Sequence, residues 1–311
     1  MIHKKRMTKR IRIGTRSSTL ALWQTNLIKK MILQSFPDIQ VSLIQIKTEG
    51  DRDQVSSLTK VGGQGIFTKA IERSLIENKI DLAVHSLKDL PTQMPDSLAL
   101  SAIPERGVIY DVFIGSTETN FLKVKQGATI ASGSIRRRAQ LKALRPDLNF
   151  VDLRGNIETR LKKLQQNQYD GIIMAEVAIS RLGLDHVKYY RFSIDEMLPA
   201  VGQGAIGVQS RIQDHYLEPV LNSLNNPDTY ACVNAERSFL RRLDSGCQFP
   251  VAATAVIKDN DLRLHGLVAN KSGKQVLRES LSGKVDSSEV IGKQLADKLI
   301  NLGALDLMKE G

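Results

Sequence analysis

A lysine and an aspartate follow a short apolar stretch in the first third of the chain. Residues 80–84 alternate in the way that predicts a strand, and Lys88 and Asp89 come shortly afterwards. Pro91 disfavours helical backbone at the residue before it, so the strand should end in a fixed loop. Ligands bind at the carboxyl ends of strands in open α/β sheets. The pair therefore indicates either a ligand-binding edge or an ordinary turn with a local ion pair.

Further cations recur where other predicted strands end and helices begin. Arginine forks match carboxylates and phosphates, and the N-termini of helices attract anions. Cations at four separate strand–helix junctions predict a crevice for an anionic small molecule, in preference to a merely solvated surface. The cations are Arg16, Lys88, Arg136, Arg137 and Arg154, with Arg160 and Arg181 further along the helices.

The two cysteines have different settings. Two are too few for a disulfide framework, which fits a reducing cytosol. Cys232 falls among core positions of a predicted helix and is expected to be inert packing. Cys247 lies on a loop after that helix, where neighbouring arginines would lower its pKa and make it a nucleophile. On the residues alone, a structural role for Cys247 remains an alternative.

Composition narrows the class of protein. The 311 residues are enough for two or three domains, and 41% hydrophobic with 25% charged residues is typical of globular proteins. No apolar run reaches the length of a membrane helix, so no membrane partner and a cytoplasmic location are expected. The basic first ten residues are expected to form a frayed tail.

The net charge of +11 suggests nucleic acid as a partner. Aromatic residues are only 5% and zinc-finger spacing is absent, so no nucleic-acid partner is expected.

Strands and helices alternate through the first two thirds, which predicts a parallel sheet with right-handed crossovers. The strands are expected near residues 11–14, 41–46, 80–84, 129–131, 150–153 and 171–175, and the helices near 20–33, 66–77, 136–144, 157–164 and up to 181. The polar, glycine-rich stretch 47–65 is interpreted as a lid, with an ordinary surface loop as the alternative.

The last third changes character. Residues 197–208 are glycine-rich and are interpreted as a hinge that returns the chain to the first domain. A helix should begin at Pro227 and end near Gly246, which can take a left-handed cap. Three antiparallel strands and a closing helix then form a small domain. The strands are expected at 251–257, 262–269 and 276–281 and the helix at 290–300; the domains are expected to be 1–104 with 205–224, 105–204, and 225–311.

Motifs spread over nearly the whole chain resemble the porphobilinogen deaminase family, also called hydroxymethylbilane synthases. They occur in the family's order, so chance similarity is not a serious explanation. The motifs occupy residues 14–18, 21–24, 60–63, 83–91, 134–137, 153–156, 159–161, 198–205 and 246–248.

The resemblance implies two α/β lobes like those of bacterial solute-binding proteins, joined by a hinge, plus a small C-terminal α+β domain with a three-stranded antiparallel sheet. It implies a monomeric transferase of tetrapyrrole and haem biosynthesis that condenses four porphobilinogen molecules into hydroxymethylbilane and releases ammonia. A dipyrromethane, one per chain, would be thioether-linked to Cys247. Asp89 would be the catalytic residue, a buried carboxylate that holds pyrrole nitrogens and stabilises the cationic azafulvene. No metal is implied.

The resemblance also assigns binding residues. The cofactor would contact Lys88, Ser132, Ser134, Arg136, Arg137 and Gln203; the substrate would contact Arg16, Ser18, Gln24, Arg154, Arg160 and Arg181; and the lid would include Lys60, Gly62 and Gly63. The chain departs from the family pattern at Gln64, where lysine is common, at Gly133, and at residues 107–110 before Asp111.

Two other classes remain as alternatives. A non-catalytic bilobed receptor for an anionic ligand would leave Cys247 unmodified and release its ligand unchanged. A nucleic-acid binder would show an affinity that falls steeply with salt.

Overall fold

The computed structural model describes residues 10–48, 50, 65, 67–166, 168–244 and 249–309. Several residues with predicted roles lie outside the described residues, namely Lys60, Gly62, Gly63, Gln64, Gly246 and Cys247, together with most of the basic N-terminal segment.

The described strands and helices are numbered in chain order. The strands are β1 Arg10–Thr15, β2 Gln40–Gln45, β3 Leu82–Ser86, β4 Leu98–Ala102, β5 Asp111–Gly115, β6 Thr129–Ala131, β7 Asn149–Val151, β8 Gly171–Ala175, β9 Tyr190–Arg191, β10 Ile206–Arg211, β11 Val251–Lys258, β12 Asp261–Ala269 and β13 Val276–Lys284. The helices are α1 Thr19–Ser35, α2 Lys69–Ile76, α3 Ile135–Leu144, α4 Ile157–Gln165, α5 Glu176–Arg181, α6 Glu218–Leu224, α7 Pro227–Arg242, α8 Ser288–Asn301 and α9 Ala304–Lys309.

The first lobe is built on a sheet with strand order β2-β1-β3-β10-β4. Strand β1 runs parallel to β2 and β3, as alternating strands and helices predict. Ile11 and Ile13 of β1 pack with Ile28 and Ile32 of α1 in one buried cluster, so the helix covers the sheet through residues four apart.

The second lobe repeats this plan with strand order β7-β6-β8-β5-β9. Strand β6 is parallel to β7 and β8. Phe113, Ile130, Leu141 and Ile173 are fully buried in a common cluster beneath α3.

The expectation of purely parallel sheets is wrong, because each lobe contains strands of opposite direction. Strand β10 is antiparallel to β3 and β4, and β5 is antiparallel to β8 and β9. Each follows a segment that arrives from the other lobe, residues 103–110 before β5 and residues 198–205 before β10. Ile206 of β10 pairs with Ser86 at the end of β3, so the arriving strand enters at the carboxyl edge and must run the opposite way.

The C-terminal part carries the antiparallel sheet β11-β12-β13, as predicted. Helices α7 and α8 cover it, and Phe239, Leu264 and Leu295 are fully buried between them. Asp259 and Asn260 both have positive φ, which is the backbone of a tight two-residue hairpin turn. In the described residues the left-handed position after α7 belongs to Asp244, with φ 48°. The expected division into two α/β lobes and a three-stranded antiparallel unit is confirmed.

None of the described helices combines the length and the apolar character needed to cross a membrane.

Candidate active site

Asp89 lies at the end of a single 3-10 turn, Leu87–Asp89, that follows β3 directly. The predicted fixed loop is therefore confirmed. Leu87 and Leu90 take the buried positions of the turn, so the carboxylate of Asp89 faces outwards. The expectation of a buried carboxylate is wrong: Asp89 is exposed, because the two flanking leucines anchor the turn.

A cavity of about 90 Å³ brings Asp89 together with three of the predicted substrate-binding residues. Its walls include Arg16, Ser18 and Gln24. Gln24 Nε2 donates to Ser86 Oγ at 2.9 Å, which ties α1 to the end of β3. The cavity therefore joins a carboxylate, a guanidinium, a hydroxyl and an amide at the carboxyl edge of one sheet.

The guanidinium of Arg16 and the hydroxyl of Ser18 both have identifiable supports. The Arg16 guanidinium carbon lies 4.1 Å from the ring centre of Phe67, within range of a cation–π contact. Ser18 caps α1 by accepting a hydrogen bond from the amide of Ala21 at 3.4 Å.

His85 also lines this cavity, although no role was predicted for it from its place in the motif at residues 83–91. Burial, opposed by its contact with Gln209 and supported by the charge of Arg16, lowers the pKa of His85 to about 4. His85 Nε2 lies 3.1 Å from Gln209 Oε1, and Gln209 Nε2 donates to Glu72 at 3.0 Å. His85 is therefore neutral near pH 7 and adds no positive charge beside Asp89.

The second lobe presents a buried carboxylate surrounded by cations. Asp111 is completely buried at the start of β5 and accepts from Arg137 Nε at 2.9 Å and Arg137 Nη2 at 2.7 Å. Arg136 Nη2 lies 2.8 Å from the other carboxylate oxygen. Burial alone would raise the pKa of Asp111, but the charges of Arg136 and Arg137 lower it to about 2. Asp111 is therefore ionised and fixes both arginines, an arrangement that the sequence motifs did not indicate.

Gln203 and two serines complete this cluster. Gln203 Nε2 donates to Asp111 Oδ1 at 3.1 Å. Ser134 caps α3 by accepting from the amide of Arg137 at 3.4 Å, and Ser132 Oγ accepts from the amide of Ser134 at 3.3 Å. The predicted cofactor-binding residues Ser132, Ser134, Arg136, Arg137 and Gln203 are thus neighbours at the first turn of α3.

Gly133, where the chain departs from the family pattern, lies at a close contact between two turns. A Cβ atom at this position would lie 2.7 Å from the carbonyl oxygen of Leu153, closer than van der Waals contact allows. The glycine therefore permits the turn after β6 to pack against the turn after β7.

Lys88 is close enough to Asp89 of the first lobe and to the Asp111–Arg137 cluster of the second lobe to be affected by the charges of both. Burial and the charge of Arg137 lower the pKa of Lys88 to about 8, although Asp89 and Asp111 oppose this shift. Arg160 of α4 responds to the same surroundings, because burial and Arg137 lower its pKa to about 10 while Asp89 opposes. Residues from both lobes therefore share one electrostatic environment around Asp89.

Arg154 differs from the other arginines in having unused donors. Its Nε and Nη2 atoms are buried and have no hydrogen-bond partner among the described residues. Buried donors are usually paired in native proteins, so these two nitrogens indicate that an acceptor from outside the described residues binds here. A carboxylate is the acceptor whose geometry best fits a guanidinium.

Arg181 is placed apart from Asp89. Its Nη2 donates to the carbonyl of Gly204 at 2.7 Å, and its guanidinium carbon is 5.4 Å from the ring centre of Trp23. Arg181 lines a second cavity, of about 380 Å³, bounded by α1, α5 and residues 104–107. Burial lowers the pKa of Arg181 to about 10. The predicted role of Arg181 in substrate binding remains a prediction.

Because the pKa of Lys88 is about 8, we expect the protein to bind a carboxylate ligand less tightly above that pH. The ammonium is lost as pH rises, and only about a tenth of the molecules keep it at about pH 9, so binding should weaken by up to roughly tenfold. Titration calorimetry at about pH 7 and about pH 9 measures the difference, with porphobilinogen, the substrate that the sequence resemblance implies, as the ligand. Lys88→Arg stays charged and should bind equally at both; the same pH dependence in this variant would contradict the assignment.

Two protein-family models match the chain. The first, described as "Porphobilinogen deaminase, dipyromethane cofactor binding domain", covers residues 11–219, and the second, "Porphobilinogen deaminase, C-terminal domain", covers residues 230–301. The chain belongs to the porphobilinogen deaminase family. The resemblance noted in the sequence is therefore confirmed, and the expected dipyrromethane cofactor is confirmed by the first match.

Curated porphobilinogen deaminases are similar over nearly their whole length. The protein of Carboxydothermus hydrogenoformans is 41% identical, with 98% of each chain covered. That of Geobacter sulfurreducens is 42% identical over 97% of this chain and 94% of its own.

The solved structures that match the chain are more distant in sequence. The methionine-binding protein MetQ matches 71% of this chain and 92% of its own, at 10% identity and a TM-score of 0.43. The BenM effector-binding domain matches 70% and 90%, at 12% identity and a TM-score of 0.42.

Proposed function

We propose that this member of the porphobilinogen deaminase family is a transferase that condenses four porphobilinogen molecules stepwise into hydroxymethylbilane and releases one ammonia at each step. A dipyrromethane joined to Cys247 by a thioether would prime the chain. The observation that carries the proposal is the exposed carboxylate of Asp89, set at the edge of β3 among cations of both lobes.

The described residues fit a group rich in carboxylates. Three cations, Lys88, Arg136 and Arg137, surround one carboxylate, Asp111, so the cluster keeps an excess of positive charge. The unpartnered nitrogens of Arg154 add donors that only an acceptor from outside the described residues would satisfy. We infer that Lys88, Ser132, Ser134, Arg136, Arg137 and Gln203 hold the dipyrromethane. When bound, this group would supply the free pyrrole carbon to which the first substrate unit is joined.

The first cavity would hold the incoming porphobilinogen. Arg16 would bind a side-chain carboxylate, while Ser18 and Gln24 offer a hydroxyl and an amide for its polar groups. Asp89 borders the same cavity and would accept a hydrogen bond from the pyrrole nitrogen.

Asp89 would act on charge that appears only during the reaction. When ammonia leaves, the substrate becomes a cationic azafulvene, and a fixed carboxylate stabilises this charge more than it stabilises the neutral ring. The neutral state of His85 helps, because a protonated imidazole beside Asp89 would oppose the developing cation. Arg154 and Arg160 would hold the acetate and propionate groups of the pyrroles already added.

Incubation of purified protein with porphobilinogen tests this function. We expect four ammonia molecules to appear for each hydroxymethylbilane formed. A bilobed receptor would instead return porphobilinogen unchanged and release no ammonia. That result would contradict the proposal, however tightly the protein binds porphobilinogen.

Arg154→Leu should weaken binding of the pyrrole carboxylates with little effect on the fold. The two buried nitrogens have no partner to lose within the described residues, whereas each charge-assisted bond to ligand is worth about 1.5–3 kcal/mol. The Michaelis constant for porphobilinogen and the cofactor content by intact mass are the measurements. Lys162→Leu, which removes an exposed cation from α4, is the matched control and should behave as wild type. Equal values in the two variants would remove Arg154 from the site.

A further inference from the structure

Helix α7 of the C-terminal unit supports the turn that carries Asp89. Val233 is fully buried in a cluster with Leu87 and Leu90, the apolar residues on either side of Lys88 and Asp89. Arg237, one helical turn further along α7, lies beneath the same turn. One face of this helix therefore forms the floor of the catalytic loop.

Arg237 binds the main chain immediately after Asp89. Its side chain is buried, with 4% exposure, and Nη1 donates to the carbonyl of Leu90 at 2.9 Å. Nη2 donates to the carbonyl of Pro91 at 2.6 Å. A planar guanidinium with two short bonds to successive carbonyls fixes both the position and the orientation of the peptide.

Burying this cation costs free energy, and the two carbonyls are dipoles that compensate only part of it. Burial lowers the pKa of Arg237 to about 10, and the charge of Arg241 acts in the same direction. The side chain nevertheless stays charged near pH 7, where a positive guanidinium makes its strongest bonds to the turn.

The adjacent residue makes the base of this support rigid. Glu236 is completely buried and accepts hydrogen bonds from Arg106 at 2.6 Å and 3.1 Å. It also accepts from the amide of Gly202 at 2.8 Å and from the amide of Ala255 at 2.8 Å. Residues 103–110 and 198–205 are the two segments that connect the lobes. The carboxylate of Glu236 ties both of them to β11 of the antiparallel sheet, so α7 has a fixed place beside these segments.

We propose that Arg237 is a positioning residue for Asp89, and that the C-terminal unit thereby sets the place of the catalytic carboxylate. This inference rests on the proposed function, in which Asp89 stabilises the departing substrate cation. It assigns to the C-terminal unit a part in the chemistry itself, separate from carrying Cys247.

Arg278 provides a matched control within the same unit. From β13 it donates to the carbonyls of Ile194 and Asp195, so it also anchors the C-terminal unit through two main-chain acceptors. Those acceptors belong to the second lobe, far in the sequence from Asp89. Loss of Arg278 therefore reproduces the loss of docking without touching the catalytic turn.

Arg237→Met is expected to lower kcat at least about tenfold, because small displacements of a catalytic group have large effects on rate. The Michaelis constant should change less, within about threefold, because Arg16, Ser18 and Gln24 stay in place around the substrate. Arg278→Met should change neither value. Arg237→Lys, which keeps the charge and can reach one carbonyl, should recover part of the rate and guards against a methionine variant that fails to fold.

Hydrogen exchange gives a readout that does not depend on turnover. The amides of residues 87–90 and of Thr92 should exchange faster in Arg237→Met than in wild type, and at the wild-type rate in Arg278→Met. Matching kcat and matching exchange in the two variants would overturn the proposal. If wild-type protein releases no ammonia, the proposed function fails, whereas the exchange comparison still decides whether Arg237 holds the turn.

Discussion

Asp89→Asn is expected to release ammonia at least about a hundredfold more slowly than wild type, a typical loss for a preorganised electrostatic group. Asparagine keeps the shape of the side chain but removes the negative charge that, in the proposed function, stabilises the azafulvene. Because the side chain is exposed and Leu87 and Leu90 anchor the turn, the melting temperature and porphobilinogen binding should be retained. The measurement is ammonia release in a single turnover, on protein whose mass shows the cofactor.

Asp96→Asn is the control for this experiment. Asp96 is another exposed carboxylate, on the loop between the turn Leu87–Asp89 and β4, and its loss should leave the rate unchanged. An Asp89→Asn rate within a few-fold of wild type would reduce Asp89 to a residue that closes the turn.

Cys247→Ser should lack the covalent adduct and have no measurable turnover. A thioether requires a sulfur nucleophile, and a serine hydroxyl is not ionised near neutral pH. Intact mass under denaturing conditions should show a two-pyrrole adduct on wild type and the bare polypeptide for the variant. Active wild-type protein of unmodified mass would contradict the priming role of Cys247.

Cys232 offers an internal comparison. Its side chain is buried, and burial together with the charge of Glu236 raises its pKa to about 12, so it remains a thiol. Cys232→Ala should therefore keep the adduct and the activity. Loss of the adduct in that variant would move the attachment to Cys232.

Local patterns in the sequence predicted the site wherever a single strand–helix junction determines the geometry. Alternation in residues 80–84 placed Asp89 at a strand end, and the strand–turn–helix pattern placed Arg136 and Arg137 at the start of α3. These features depend on backbone periodicity and capping, which act over a few residues.

Features that depend on the path of the chain between lobes could not be predicted in this way. Strand β4, Leu98–Ala102, contains no β-branched residue, so its sequence gives a weak strand signal. Asp111 meets Arg137 only because β5 enters beside β8 from the other lobe. The exposure of Asp89 and the contact of Arg181 with Trp23 depend on side-chain packing, which the spacing of residues in the sequence does not predict.

The position of β10 between β3 and β4 has a consequence for biosynthesis. On the ribosome, β3 and β4 emerge long before β10, because the whole second lobe is translated in between. During that interval both strands have an unpaired edge, and such edges promote association between nascent chains. Chaperone demand should therefore peak when the nascent chain ends between the second lobe and β10, and a chain truncated before Ile206 should aggregate even though most of its first lobe is present.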